Sequence, residues 1–170
     1  DNVNAAAEMI KIRYCLIPYL YSEYLRAALN EEMMFKPLSF DLPDDDMAKQ
    51  VDDQLLLGNE LMIAPVYKQN AKGRYVYLPE EMMAVRMKSC KNIKTEILSK
   101  GHHYVDSELD ELVFFIRKDK AIPFGKPVKN TSEIDLSDLK LIGYEGCHYE
   151  MYSDDGFSPV LEDSLKETIL

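Results

Sequence analysis

The stretch Asp52-Asp53-Gln54-Leu55-Leu56-Leu57-Gly58-Asn59-Glu60-Leu61-Met62-Ile63-Ala64-Pro65-Val66 places two short apolar runs on either side of a Gly-Asn-Glu break. Apolar runs of this length, bounded by glycine and proline, have the pattern of buried strands. Gly58 permits a backbone turn that a residue with a Cβ resists. Pro65 has no amide hydrogen to give a ladder, so it ends regular pairing or confines it to an edge. The stretch therefore reads as a core hairpin, and the rest of the chain is read outward from it.

Upstream, residues 5–29 carry helical periodicity. Ile10, Tyr14, Ile17, Tyr21, Tyr24 and Ala28 recur at spacings of three and four, and Ile12, Leu16 and Leu20 form a second apolar stripe. Asn4 is the expected N-cap, with Glu8 in the first turns complementing the dipole. Pro18 removes one amide donor and is expected to kink the helix near Tyr14. A helix apolar on more than one stripe is buried on most sides. A 170-residue chain has little material to cover it, so neighbours outside this sequence are expected, from a larger parent or an oligomer. The opening Asp1-Asn2-Val3-Asn4, without an initiating methionine, suggests the interior of a longer chain.

Between helix and hairpin, Phe35, Leu38, Phe40 and Leu42 suggest a short extended run with Pro37 at an edge, and Pro43 to Asp46 a turn. Downstream, Lys68 to Gly73 reads as a polar hairpin loop and Arg74 to Pro79 as a half-buried strand. Met82 to Met87, Lys94 to Leu98, His103 to Val105, Val113 to Ile116 and Ala121 to Phe124 follow as strands at about ten-residue spacing, the rhythm of an antiparallel sandwich. Gly125 to Asp138 is polar and reads as a linker. Leu139 to Tyr144 and His148 to Tyr152 are expected to pair around Glu145-Gly146-Cys147, and Asp154-Asp155-Gly156 to turn. Glu162 to Leu170 is either one more strand or a frayed end. The expected fold is mainly β with an N-terminal α-helix. Its divisions are residues 1–33 for the helix, 34–124 for the sandwich, and 125–170 for a linker and terminal strand pair that complete or extend it.

A net charge of −10 argues against a nucleic-acid partner, because there is no basic surplus to replace counterions, and against an anionic membrane surface. No apolar run approaches the roughly 18 residues of a membrane helix, and no basic segment followed by an apolar one opens the chain. Cys15, Cys90 and Cys147 are far apart and make no CxxC pair, which suits three reduced thiols in a cytoplasmic protein.

The side chains that could carry chemistry each have a plainer reading. His102 and His103 are adjacent on a strand and point to opposite faces, a poor metal site, and His148 has no partner at ligand spacing. Asp44, Asp45, Asp46, Asp52 and Asp53 lack the order of a calcium loop and fit a solvated turn. Asp154 and Asp155 could line a cation site but fit a turn better. Asn130-Thr131-Ser132 matches a glycosylation sequon without a secretory context. Among the many carboxylates, spacing singles out no pair placed to cleave a glycosidic bond. No catalytic, substrate-binding or metal residue is assigned, and no cofactor is implied. Tyr75, Tyr77, Tyr104 and Tyr144 are candidate sugar-stacking rings, although strand alternation puts them in the core or a groove.

The order of residues carries a resemblance. Arg13-Tyr14-x-Leu16-Ile17-Pro18-Tyr19-Leu20-Tyr21 resembles the R-Y-x-L-L-P-Y-L-Y helix of glycoside hydrolase family 31, which includes α-glucosidases and α-xylosidases. Lys36-Pro37-Leu38-Ser39-Phe40 resembles its R-P-L-F-F segment, followed by Pro43 and Asp44 in place of a P-x-D turn. Residues 52–66 are close to D-D-Q-F-L-L-G-x-x-L-L-V-A-P-V, and Val76-Tyr77-Leu78-Pro79 matches V-Y-L-P. Val113 to Arg117 and Ile122-Pro123 are similar to P-V-F-V-R-x-G-x-I-I-P, and Tyr152 to Gly156 to Y-x-D-D-G. The motifs fall in family order over about residues 10–156. Departures are Lys36 for arginine, Glu80 to Val85 for G-x-W-Y-D, Val113 for proline and Asp119 for glycine.

The resemblance implies that the helix is the last of a (β/α)8 barrel and that an antiparallel C-terminal β-sandwich packs on it. It implies a parent that is a retaining α-glycosidase releasing terminal α-linked glucose from oligosaccharides. The catalytic carboxylates would lie on earlier barrel strands, so this chain alone is expected to be inactive. The alternative is a non-catalytic carbohydrate-binding or interaction sandwich. Expected partners are the rest of the barrel and, through the parent, an oligosaccharide; the isolated chain is expected to self-associate. Asp52, Asp53 and Gln54 are expected to be polar caps anchoring the junction of the two domains.

Overall fold

The computed structural model describes residues 2–158 and 165–170. A long helix, α1, runs from Asn2 to Leu29 with Pro18 inside it. Asn4 lies within α1 and is not its cap. The carbonyl of Cys15, three residues before Pro18, accepts the amide of Gly125 at 2.8 Å, which ties the middle of the helix to the strands behind it.

The chain then forms β1 (Phe35–Pro37) and a single helical turn, α2 (Leu38–Asp41). The extended run expected through Leu42 therefore stops at Pro37. The turn closes with the Leu42 amide on the Leu38 carbonyl at 3.1 Å. It is also held by Asp41, whose carboxylate lies 2.8 Å from the Lys36 ammonium and 2.9 Å from the Arg117 guanidinium. Two cations converging on one carboxylate outweigh the alternation that suggested a strand.

The opening hairpin forms as expected. Strands β2 (Leu55–Leu57) and β3 (Leu61–Ile63) pair with Leu57 opposite Leu61 and Leu55 opposite Ile63. Among the described residues ten further strands complete or flank the architecture. In the body of the chain these are β4 (Gly73–Leu78), β5 (Met82–Met87), β6 (Ile93–Leu98), β7 (Gly101–Asp106) and β8 (Leu112–Arg117), besides β1. Toward the C-terminus are β9 (Ala121–Phe124), β10 (Lys140–Gly143), β11 (Glu150–Ser153) and β12 (Lys166–Ile169). Every pairing among them is antiparallel.

A six-stranded sheet in the order β1-β2-β3-β8-β5-β6 forms the central layer, with the Pro37 strand at its edge. Its side chains alternate between two cores, as the two-residue period of a strand requires. Leu57, Leu61, Val85, Met87, Phe114 and Ile116 face α1 and the strands around it. Leu56, Met62, Met82, Ala84 and Phe115 face the β4–β7 hairpin, where they meet Val76, Leu78 and Val105. A sheet covered on both faces explains why Leu55 to Leu57 and Val113 to Ile116 are continuously apolar rather than alternating.

Two expected pairings are replaced. Lys68 to Gly73 is not a hairpin loop: β3 pairs with β2 and β8, β4 pairs with β7, and the loop carries the chain from the central sheet to the outer layer. Nor do β10 and β11 pair with each other, for β10 pairs with β9 and β11 with β12. Lys166 to Ile169 supplies the late strand that Glu162 to Leu170 suggested; residues 162–164 of that segment lie outside the described residues.

Candidate functional site at the helix–sheet junction

The densest buried polar chemistry sits where α1 meets the opening hairpin. One helix face carries Ile12, Cys15, Tyr19, Ser22, Glu23 and Arg26, all buried. On the hairpin side stand the Leu57 carbonyl, Gly58 and Glu60. Tyr149 closes the group just ahead of β11.

The hydroxyls and carboxylates are bonded to one another. The Tyr19 hydroxyl donates to the Leu57 carbonyl at 2.6 Å and lies 3.3 Å from Glu60 Oε2. Tyr149 Oη lies 2.8 Å from Glu23 Oε1 and 2.9 Å from Ser22 Oγ, and the Tyr152 amide donates to Ser22 Oγ at 2.8 Å. With one proton per hydroxyl, the set runs from the Tyr152 amide to Ser22, from Ser22 to Tyr149, and from Tyr149 to the Glu23 carboxylate. Chained bonds of this kind polarise one another in a low-dielectric interior. Arg26 Nε donates to Glu23 Oε2 at 2.9 Å, and its guanidinium also reaches Glu32.

Glu23 and Glu60 face each other across the junction, and this settles the electrostatics. Burial, then the charge and hydrogen bond of Glu23, push the Glu60 carboxyl up to about 8, against a weaker opposing pull from Lys120 and Arg26. Beside a second carboxylate in a buried site the ionised form is costly, so Glu60 keeps its proton near neutral pH. Burial and the same carboxylates raise the hydroxyls of Tyr19 and Tyr149, which stay protonated as donors.

Gly58 is the residue that lets these groups meet. It adopts φ +69°, and a Cβ there would stand 2.5 Å from both the Tyr19 hydroxyl and a Glu23 carboxylate oxygen. Its amide donates to the Met34 carbonyl at 2.7 Å.

Asp53 and Gln54 do not anchor this junction. Gln54 is buried, and its side-chain amide both donates to and accepts from the Tyr77 backbone at 2.8 Å, imitating a strand neighbour of β4. Asp53 pairs with Arg74 at 2.5 Å. Both bonds hold the central sheet to the outer hairpin, on the far side from α1. Asp52 is exposed. The residues that do anchor the helix, Ser22, Glu23, Glu60 and Tyr149, carry no motif of their own in the sequence. The available signal was Ser22-Glu23 and Arg26, charged and polar groups three residues apart on an otherwise apolar helix face.

The other candidates separate. His103 Nε2 sits 2.7 Å from the Ser99 carbonyl, while His102 lies against the Tyr77 ring. Among the described residues no group of His, Cys, Asp or Glu is placed to hold a metal ion. Asp155 Oδ1 accepts from the amides of Phe157 and Ser158, as a turn aspartate does. Tyr77 is buried and Tyr144 half-buried. Tyr75 and Tyr104, expected in a core or groove, are 71% and 57% exposed and line an open groove rather than the core.

The Tyr-rich stripe of α1 faces away from the sheet: Ile10, Tyr21 and Tyr24 are exposed. The helix thus has a polar-bonded face on the sandwich and an uncovered apolar face opposite. No helix among the described residues is long and apolar enough to cross a membrane.

The model of the glycosyl hydrolase family 31 C-terminal domain matches residues 31–122, from just after α1 into β9. The chain belongs to glycosyl hydrolase family 31. It is 28% identical over 152 residues to Alpha-glucosidase 2 of Bacillus thermoamyloliquefaciens, covering 86% of this chain and 18% of that protein. It is 29% identical over 154 residues to the Alpha-xylosidase of Saccharolobus solfataricus, covering 88% and 20%. A family 31 dextranase of Flavobacterium johnsoniae, solved with glucose, superposes with a TM-score of 0.78 at 26% identity over 98% of this chain and 21% of that one. The family 31 chain therefore spans about a fifth of each of these proteins, and the three names cover three different substrates.

Proposed function

We propose that this chain is the C-terminal structural region of a retaining α-glycosidase that removes terminal α-linked glucose from oligosaccharides. Its role is to brace the last helix of the catalytic barrel. The observation that carries this reading is the two-faced helix. One side of α1 is locked to the sandwich through Tyr19, Ser22 and Glu23, and the other side leaves Ile10, Tyr21 and Tyr24 for the rest of a barrel. A retaining mechanism needs two carboxyl groups about 5–5.5 Å apart across the scissile bond; on this reading both belong to earlier barrel strands, and the chain alone is inactive. Without its barrel the uncovered helix face drives self-association. The intended setting is the cytoplasm, where Cys15, Cys90 and Cys147 remain thiols by default.

The test compares this chain with the longer reading frame that contains it, on an aryl α-glucoside and an aryl α-xyloside. Turnover is expected only with the longer protein, faster on the glucoside, with α-glucose as the first-formed anomer by NMR. Turnover by the chain alone would overturn the bracing role, and a β first product would overturn retention.

A second reading rests on Tyr75 and Tyr104. Their exposed rings lie 5.3 Å apart, edge to face, beside an open groove of about 350 Å³ that Tyr67, Asp53 and Arg74 also line. An aromatic face next to a carboxylate suits the mixed apolar and hydroxyl surface of a sugar, so the sandwich can also hold the substrate's remote end. Titration with maltose, followed by tyrosine fluorescence, should show a response that Tyr75→Ala abolishes. No response at millimolar sugar removes this reading.

A further inference from the structure

Cys15 and Cys90 are separated by 75 positions in the sequence, yet their sulfurs lie 3.0 Å apart. They belong to different layers of the molecule. Cys15 is on the inner face of α1 and fully buried; Cys90 is half-buried in the turn between β5 and β6 and packs against the same core. Both ends are held by rigid elements. The Cys15 carbonyl is bonded to the Gly125 amide. The β5–β6 ladder runs from Met82 opposite Leu98 to Met87 opposite Ile93, and the Lys88 amide closes the turn on the Asn92 carbonyl. A disulfide bond is about 2.05 Å long, so closing it requires the two sulfurs to approach by only about 1 Å.

We propose that Cys15 and Cys90 form a covalent modification site, a thiol pair that a peroxide joins into a disulfide, stapling α1 to the central sheet. The step balances in two stages. The Cys90 sulfur attacks hydrogen peroxide, taking up one oxygen as a sulfenic acid and releasing one water. The Cys15 sulfur then displaces that oxygen, forming the S–S bond and releasing a second water. Two thiols lose two electrons and two protons in all, and one peroxide is reduced to two waters. The order follows from access: Cys90 is the half-exposed partner, whereas burial pushes the Cys15 thiol up and keeps it protonated until the second stage.

The consequence goes beyond the bracing role and does not depend on which sugar the parent acts on. A hydrogen-bonded junction can open and reclose, but a disulfide across this long a loop cannot. It fixes the helix on the sandwich and restricts the unfolded chain.

The experiment treats the purified, reduced chain with hydrogen peroxide, alkylates the remaining thiols and maps tryptic peptides by mass. The expected product joins the peptide of residues 14–26 to that of residues 89–91, two hydrogens lighter than their sum, and dithiothreitol separates them. The midpoint of thermal unfolding should rise by about 5–10 °C on oxidation and fall back on reduction. Cys147→Ser should keep both effects. Cys90→Ala changes a half-exposed turn and should lose both while folding normally. The proposal is overturned if both thiols remain open to alkylation, if the link runs to Cys147, or if the bond forms without any gain in melting temperature.

Discussion

Tyr149 places its hydroxyl 2.8 Å from Glu23 Oε1, joining a residue near the end of the chain to one in the first helix across 126 positions. Both are buried. The contact closes the gap between α1 and the C-terminal strands, and the rest of the junction is built around it. Tyr149 also pairs backbone to backbone with Leu170 in both directions, at 3.0 and 3.2 Å, so the last strand is fixed through the same residue.

Tyr149→Phe should therefore act as a local cut. It removes one hydroxyl and leaves Glu23 and Ser22 each short of a partner, with almost no change in volume. Hydrogen bonds to charged groups are worth about 1.5–3 kcal/mol, so a loss of about 2 kcal/mol is expected in urea unfolding. Phe at this position retains the ring contact with Tyr19, whose centroid is 5.7 Å away. A loss below about 0.5 kcal/mol, the range of ordinary surface changes, would show that Glu23 finds another donor.

The proton that Glu60 holds predicts a pH dependence with a definite sign. Glu60 is raised from 4.5 to about 8 in the folded chain. Between those values the folded state holds a proton that the unfolded state has released, so stability falls as pH rises. The contribution is complete below about pH 4.5 and is lost as pH passes through about 8. The groups facing it are Glu23, Tyr19, Arg26 and Lys120. Measured from pH 5 to pH 8.5, the unfolding free energy should decline by a few kcal/mol, and Glu60→Gln should flatten most of that slope. An unchanged slope in the variant would place the titration elsewhere.

Gly58→Ala tests whether the turn itself positions the junction. The new Cβ would meet the Tyr19 hydroxyl and Glu23 at 2.5 Å, in a backbone conformation of φ +69°. The left-handed conformation costs a residue with a Cβ about 1–2 kcal/mol, and overpacking adds about 1–3 kcal/mol. A destabilisation of about 3 kcal/mol is expected from denaturant midpoints at constant m. Adding Tyr19→Phe in the same chain should recover part of it. If the double variant is no more stable than Gly58→Ala alone, the clash is not with Tyr19.

These contacts mark where the sequence was legible and where it was not. The hairpin of residues 55–63 and the strand pattern from Met82 to Phe124 follow from period and punctuation, which are local properties. The family followed from residue order, and the fold with it. Leu38 to Asp41 departs from its strand-like pattern because its conformation is set by ion pairs with Lys36 and Arg117, and the Arg117 pair spans 76 positions. Proximity in sequence favours a β10–β11 hairpin, whereas each strand pairs elsewhere, β10 with β9 and β11 with β12. Cys15 with Cys90, and Glu23 with Glu60, carry no spacing signal at all; only the packing of α1 on the sheet brings them together.

The turn between β8 and β9 gives the last prediction. Asp119 sits at φ +56°, at the position where the family motif has glycine, and the Lys120 amide closes the turn on the Arg117 carbonyl at 3.2 Å. Its side chain is exposed, so backbone conformation decides what substitution does. Asp tolerates the left-handed region better than most residues but less well than glycine. Asp119→Gly should therefore raise stability by about 0.5–1 kcal/mol, even though glycine loosens the unfolded chain. Asp119→Ala should lower it by about 1 kcal/mol, because alanine keeps the Cβ and loses the local hydrogen bonding that eases Asp into this region. Thermal melts of the three proteins should rank glycine above aspartate above alanine. Alanine equal to or above aspartate would mean that the turn relaxes out of the left-handed region, and that Arg117, next to it, is held by Asp41 and Glu80 rather than by the turn.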